Sequence, residues 1–304
     1  MSSFSAARPL SEHRMETIHG IEQMKATARE ACAKDRTLGL VPTMGALHEG
    51  HLSLVRRARE QCSAVAVSVF VNPKQFGAGE DFEKYPRTFE ADRAALEKLG
   101  VDYLFAPPSE EIYPSGFRTE VVVEGLGERL EGRSRAGHFQ GVATVVLKLF
   151  EIAGPQYAFF GRKDAQQVRI IQQMARDLNL GVEIVVCPIV READGLALSS
   201  RNVYLEGEDR RAAPALYRSL DAVRREIEAG ERGAARLLAT LRRVLEAEPR
   251  VALDYAEIVD AETFEPVERL QKVCYALVAA RVAGVRLIDN ALIELVGGSF
   301  RVTL

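Results

Sequence analysis

Two histidines three residues apart, His48 and His51, flank Gly50 where an apolar run gives way to a helical pattern in "LVPTMGALHEGHLSLVRRARE", residues 40–60. A helix start offers unpaired backbone N–H groups and the positive end of the helix dipole, and so attracts phosphate. Side chains at i and i+3 share one side of the first turn, so both imidazoles could donate N–H bonds to one phosphate chain. Gly45 and Gly50 would let backbone approach a ligand closely. Two further segments carry groups suited to the same task. "FFGRKDAQQ" puts Lys163 and Asp164 at a strand end entering a helix, and "SSRN" supplies two hydroxyls and a guanidinium in Ser199, Ser200 and Arg201. Read alone, either is an ordinary surface turn. Their position at strand ends, across a sheet from the histidine turn, is what raises them.

That sheet is legible as alternation. From about residue 37 to 190, short β-branched runs take turns with longer amphipathic ones: "TLGLVPT" then "HLSLVRRAREQC", "AVAVSVFV" then "RTFEADRAALEKLG" closed by Gly100, and "VDYLFAPP" ended by two prolines. After a Gly-rich section come the helical "FQGVATVVLKLFEIAG", the strand "QYAFFG", the helical "DAQQVRIIQQMARDLN" and the strand "GVEIVVCPIV". Wholly apolar strands alternating with helices predict an α/β fold, a Rossmann-like, doubly wound parallel sheet. Such sheets bind ligands at the carboxyl ends of their strands, near the point where strand order reverses. Beyond about residue 204 two helical stripes, Leu216, Leu220, Val223, Ile227 and Leu237, Leu238, Leu241, Leu245, precede the strand-like "DYAEIVD", "CYALVAARV" and "VRLIDNALIEL". The expected organisation is a disordered extension over residues 1–16, the Rossmann-like unit over 17–200, and a smaller C-terminal α+β unit over 201–304.

Composition bounds the partners. Forty basic and 43 acidic residues leave a formal charge of −3, which gives no electrostatic reason to expect nucleic acid or a membrane surface. No apolar run approaches the roughly 18 residues that span a bilayer. The start, "MSSFSAARPLSEHRMETIHG", lacks the apolar stretch of a secretory signal, and Glu12 and His13 interrupt any transit-peptide pattern. Cys32, Cys62, Cys187 and Cys274 stand at neither metal-ligand nor redox spacing. They read as small buried thiols in a reducing, cytoplasmic compartment.

His48-x-Gly50-His51 resembles the signature of the nucleotidylyltransferase superfamily, which includes class I aminoacyl-tRNA synthetases. The decapeptide "PTMGALHEGH" is narrower and is similar to the pantoate–β-alanine ligase family. "VFVNPKQF", "YPRT", "GHFQGVATVVLKLF", "FFGRKDAQQ", "READGLALSSRN" and "RLIDN" follow in the family's order, so the resemblance covers nearly everything after about residue 17.

The resemblance implies condensation of pantoate with β-alanine through a pantoyl-adenylate, releasing AMP and pyrophosphate. It also implies ATP as co-substrate, Mg²⁺ arriving with ATP and no metal held by the protein alone, and a homodimer. By resemblance the catalytic groups are His51, His48, Lys163 and Arg201. Met44, Gly45, Ala46, Leu47, Glu49, Gly50, Gly161, Arg162, Asp164, Val190, Leu198, Ser199 and Ser200 join them at ATP, with Val190 and Leu198 bordering adenine. Gln75 and Gln167 contact pantoate, with Asn72 and Tyr85 helping to form the site. The chemistry asks for such groups independently. A carboxylate is already ionised near neutral pH, so attack on the α-phosphorus needs alignment and neutralisation of the leaving pyrophosphate rather than a protein nucleophile. Neutral amides can orient pantoate without locking its carboxylate into a salt bridge. Whether His51 acts as an imidazolium or a neutral donor stays open at this level, and no base for the amine stands out.

Two positions depart from the family pattern. Arg162 stands where Glu is usual, and could add a phosphate contact or point to solvent; Lys74 stands where Met is common. Three other readings compete. A nucleotidylyltransferase with no amide step would not release AMP. A tRNA synthetase would carry a basic anticodon-binding domain. A non-catalytic ATP sensor would be expected to lose His48, His51, Lys163 or Arg201, all of which are present.

Overall fold

The computed structural model describes residues 14–77 and 79–304. Six strands, β1 (Glu16–Ile18), β2 (Leu38–Thr43), β3 (Ala64–Val69), β4 (Tyr103–Phe105), β5 (Tyr157–Gly161) and β6 (Glu183–Cys187), pair in parallel in the order β1-β4-β3-β2-β5-β6. Strand side chains alternate between faces, and the sequence gives each face its own apolar set. Leu40, Ala66, Ala158 and Phe160 join a core with α1 (Ile21–Ala33), α6 (His138–Ala153) and α7 (Ala165–Asp177). Val41, Val65, Val67 and Phe159 face α2 (Glu49–Gln61) and α3 (Phe89–Lys98) across the other. Two-sided burial explains why the central strands read as unbroken apolar runs.

Two short helices, α4 (Ser109–Ile112) and α5 (Glu131–Ser134), lie in the connection before α6. A second unit follows: α8 (Gly207–Ala212), α9 (Ala215–Glu228) and α10 (Ala234–Glu246), then β7 (Val251–Asp260), β8 (Val273–Val282), β9 (Val285–Val296) and β10 (Ser299–Thr303), antiparallel in the order β10-β9-β8-β7. Apart from the partly buried Leu238, both helical stripes read from sequence are buried here, with Leu216, Leu220, Leu237 and Leu241 at most 1% exposed. Burying each such side chain contributes about 1.5–3 kcal/mol. β8 splits its side chains: Cys274, Ala276 and Val278 face α9 and α10, while Leu277 and Tyr275 pack on the core of the first unit. The second sheet is therefore clamped between its own helices and the first unit.

The fold class agrees with the sequence reading, but the strand count does not. Leu38–Thr43 is not the first strand: β1 and α1 precede it, and β10 follows the last strand expected. β1 is a three-residue edge strand, too short for alternation to register. Of the extension expected over residues 1–16, residues 1–13 lie outside the described residues, and Glu16 already pairs with Tyr103. Cys62, Cys187 and Cys274 are buried thiols as expected, whereas Cys32 is exposed on α1. Among the described residues no helix is long and apolar enough to cross a membrane.

Candidate active site

The chain runs outward from β2 through β3 and β4 on one side and continues with β5 and β6 on the other. Strand order thus reverses between β2 and β5, and the loops leaving these two strands diverge to open a crevice. The loop after β2 carries the histidines, and the loop after β5 carries Lys163.

His48 is the N-cap of α2 and His51 its third residue. Gly50 N–H donates to His48 Nδ1 at 3.2 Å and His48 N–H to His51 Nδ1 at 3.4 Å, a reciprocal cap built from two imidazoles. The rings lie 4.1 Å apart, tilted by 39°. Burial pushes His48 down to about 4, helped by the Lys163 charge and opposed by Asp164. Burial pushes His51 to about 3, with His48 and Lys163 adding to it and Asp164 opposing. Both rings are neutral at pH 7. A neutral ring whose Nδ1 accepts must carry its proton on Nε2, so each histidine holds an Nε2–H for a ligand. A Cβ on Gly50 would come within 2.9 Å of the His48 ring, so this glycine is what lets the cap close.

The preceding turn is held from outside. Gly45 and Ala46 have φ of +80° and +50°, and Asp92 of α3, 3% exposed, accepts from Ala46 N–H at 2.9 Å and Leu47 N–H at 2.8 Å. Sequence reading missed Asp92, because the contact spans some 45 residues of chain.

A cavity of about 230 Å³ collects Met44, His48, Gly50, His51, Gly161, Lys163, Asp164, Val190, Leu198, Ser199, Ser200 and Arg201, together with Asn72, Gln75, Tyr85 and Gln167. Gly45, Ala46, Leu47 and Glu49 do not line it: Leu47 packs into the core under α2, and Glu49 pairs with Arg56 on the outer side of that helix. Gln167 lies on the crevice side of α7 rather than its outer face. Asp164 makes no cap bond to α7, and its carboxylate stays 47% exposed. It stands at the strand end entering α7, where an aspartate could either cap the helix or bond the ribose, and it does not cap.

Arg162 is not the nucleotide contact expected of it. Its side chain neither faces the crevice nor reaches solvent. It is 9% exposed and turned toward Tyr275 and Glu294 of the second sheet, with Nε and Nη2 unpartnered. Burial lowers its pKa, opposed by Tyr275 and Glu294. Lys74 likewise turns away from the site, pairing with Glu120 at 2.8 Å.

Asn72 has no free hydrogen-bonding group. Its amide N–H groups donate to Gln75 Oε1 at 3.0 Å and the Gly141 carbonyl at 3.1 Å, and its oxygen accepts from Tyr113 OH at 2.8 Å. It holds Gln75 in place, while Gln75 Nε2 lies 3.2 Å from Met44 Sδ. α6 supports the same turn: His138 Nδ1 is 2.9 Å from the Gln75 carbonyl, and burial, reinforced by Arg135, lowers His138 to about 4. Arg135 and His138 both line the cavity, and no spacing in the sequence pointed to them.

The Ser199–Arg201 segment closes the crevice mouth. Ser200 Oγ donates to the Ala46 carbonyl at 3.2 Å. Arg201 makes a bidentate pair with Asp81, 2.8 Å on each arm, over the Tyr85 ring. A carboxylate held this way occupies a guanidinium fork as a phosphate would. The cavity continues into a larger cleft of about 480 Å³ between the two units, sharing Lys163, Asp164, Gln167, Ser199 and Arg201 with it. Neutral donors, a lysine, an arginine and two glutamines therefore meet at one water-accessible crevice, a set suited to holding a polyphosphate against a small hydroxylated acid.

Comparison with known proteins agrees with this chemistry. The family model for pantoate-beta-alanine ligase matches residues 16–292. A pantothenate synthetase of Heliobacterium modesticaldum is 54% identical over 280 residues, covering 92% of this chain and all of the relative. One from Acidobacterium capsulatum is 56% identical over 266 residues, covering 88% and 89%. Among solved structures, pantothenate synthetase from Thermus thermophilus superposes with a TM-score of 0.87 at 50% identity, covering 91% of this chain and 98% of that one. Pantoate-beta-alanine ligase from Francisella tularensis, complexed with beta-gamma ATP and beta-alanine, gives 0.74 at 35% identity, covering 91% and 97%.

Proposed function

This chain belongs to the pantoate–β-alanine ligase family, and from that premise we propose how its crevice performs the reaction. The protein is an enzyme, a ligase that condenses pantoate with β-alanine in an ATP-dependent reaction.

The pantoate carboxylate attacks the α-phosphorus of ATP and pyrophosphate leaves. The β-alanine amine then attacks the acyl carbon of the pantoyl-adenylate and expels AMP. For the first step Gln75, braced by Asn72 and Met44, and Gln167 orient pantoate beside the α-phosphate. His48 and His51 donate through Nε2–H, and Lys163 and Arg201 supply the positive charge that matches the departing pyrophosphate. Asp81 has to release Arg201 for that, which makes the Arg201 contact an exchange of one anion for another. Val190 and Leu198 border the adenine, and Gly161 and Asp164 face the ribose. The single observation that carries this reading is the convergence of the histidine pair, Lys163, Arg201 and the two glutamines on one crevice at the strand-order reversal.

Magnesium fits as a cation carried on the phosphates. The ion would be held by phosphate oxygens of the nucleotide and would supply further neutralisation of phosphate charge beside Lys163 and Arg201. The four unpaired thiols agree with a reducing, cytoplasmic setting. A homodimer is carried from the family resemblance. We treat residues 201–304 as a unit that closes over 17–200, with Ser199–Asn202 at the junction, so that water is kept from the acyl-adenylate.

The route is tested with pantoate labelled by ¹⁸O in its carboxylate. Attack by that oxygen predicts one label in the AMP phosphate for each pantothenate formed. Unlabelled AMP would rule out the adenylate.

A further inference from the structure

The segment "RLIDN" near the end of the chain has no part in the chemistry above, yet two of its residues reach the nucleotide-facing loops. We propose that Asn290, with Asp289 beside it, is a positioning residue: from the second sheet it fixes the Lys163 turn and the Arg191–Ala197 turn relative to each other. This rests on the reading of the crevice as the ATP site.

Asn290 lies on β9, paired with Leu277, and is 1% exposed. Its Nδ2 donates to two successive carbonyls, Arg162 and Lys163, at 2.9 Å each. Both hydrogens of one nitrogen thus hold the short 3₁₀ turn Arg162–Asp164 from which the Lys163 side chain projects. Asp289, 4% exposed, accepts both arms of Arg191 at 2.7 and 3.0 Å. Arg191 in turn donates to the Gly195 carbonyl at 3.0 Å and bridges to Ala197, immediately before Leu198 and the Ser199–Arg201 segment. Two consecutive residues of one strand therefore each anchor one of the two loops that bring positive charge to the phosphates.

The choice of amide argues for positioning over packing. Asn290 Oδ1 is buried without a partner, a cost that an apolar side chain would avoid. What an apolar residue could not supply is the pair of donors. An ionised aspartate of the same shape would face two carbonyl oxygens with no proton to give, and its pKa would be raised by burial and by those oxygens.

The test is steady-state kinetics of Asn290→Asp, with Asn290→Ala as the second variant and thermal unfolding recorded for both. Loss of two hydrogen bonds to the Lys163 turn predicts a rise of about tenfold or more in KM for ATP at pH 8. The KM for pantoate should stay within about twofold. In Asn290→Asp, relative to the unsubstituted protein, the defect should shrink toward pH 5 as the carboxyl takes up a proton and regains one donor; in Asn290→Ala it should not. A fall in melting temperature with an unchanged KM for ATP in either variant, or an equal rise for every substrate, would overturn the assignment. Should the unsubstituted protein show no saturable dependence on ATP, the nucleotide-site reading itself fails, which is a separate result.

Discussion

Each imidazole of the His48–His51 pair already uses Nδ1 to accept a backbone N–H, and this decides between the two forms left open by the sequence. The rings are neutral, each with its proton on Nε2. The residue types and their order were legible from His48-x-Gly50-His51, because a cap, its glycine and the helix behind it are local in the chain. Arg162 was not legible, since the turn that carries it packs against β9 of the second sheet, more than 100 residues further along the chain. Asp92, Arg135 and His138 act through contacts of the same long-range kind. The depressed histidines also set a pH dependence. His48, His51 and His138 fall to about 4, about 3 and about 4 when folded, against an ordinary value of about 6.5 when unfolded. The unfolded chain then binds more protons below about 6.5, so stability is full above that pH and is lost as pH falls toward the folded values. Each group contributes a slope of up to about 1.4 kcal/mol per pH unit. Urea unfolding should show a clear loss between pH 6.5 and 5 that is shallower in His51→Gln. An equal slope in the variant would contradict the buried neutral ring.

At the scale of elements, α6 is as much a part of the site as the loops are. Gly141 lies against the turn that bears Gln75: a Cβ there would stand 2.3 Å from the Lys74 carbonyl oxygen and 2.7 Å from Gln75 N. Backbone cannot give way as a flexible side chain can, so Gly141→Ala must move the turn. Overpacking of this sort costs about 1–3 kcal/mol. The expected result is a higher KM for pantoate with a smaller change for ATP, together with a lower melting temperature. An unchanged KM for pantoate would mean that Gln75 is not fixed by this helix. The long elements, α2, α3, α6, α7 and the apolar strands, were legible because two-sided or one-sided burial stamps its period on the sequence. The three-residue β1 carries too few side chains to show a period. α1 buries only Met24 and Ala31, and the second of these is too small to mark a face.

For the whole molecule, the two units are joined by charge as well as by packing. Arg286 of β9 donates to Glu131 of α5 at 2.6 and 2.7 Å and pairs with Asp254 at 2.7 Å, while Tyr255 OH reaches Glu131 at 2.8 Å. Burial works against the arginine's charge, but the two carboxylates outweigh it and raise its pKa. Removing one partner of a buried pair leaves the other uncompensated, at a cost of about 3–5 kcal/mol. Arg286→Met should lose stability on that scale in urea unfolding, and adding Glu131→Gln should recover a good part of it. Full additivity of the two changes would mean that the pair does not join the units. The pairing was not legible in the sequence: "RLIDN" marks Arg286 by resemblance, but nothing local ties it to Glu131, 155 residues earlier.

On this mechanism one crevice first activates pantoate and only then meets the amine. That order is tested most directly by exchange of labelled pyrophosphate into ATP with magnesium and pantoate present and β-alanine absent. Exchange that requires pantoate, and that gives way to AMP and pantothenate when β-alanine is added, is the predicted result. A folded, ATP-binding protein that shows exchange only in the presence of β-alanine would contradict the two-step account.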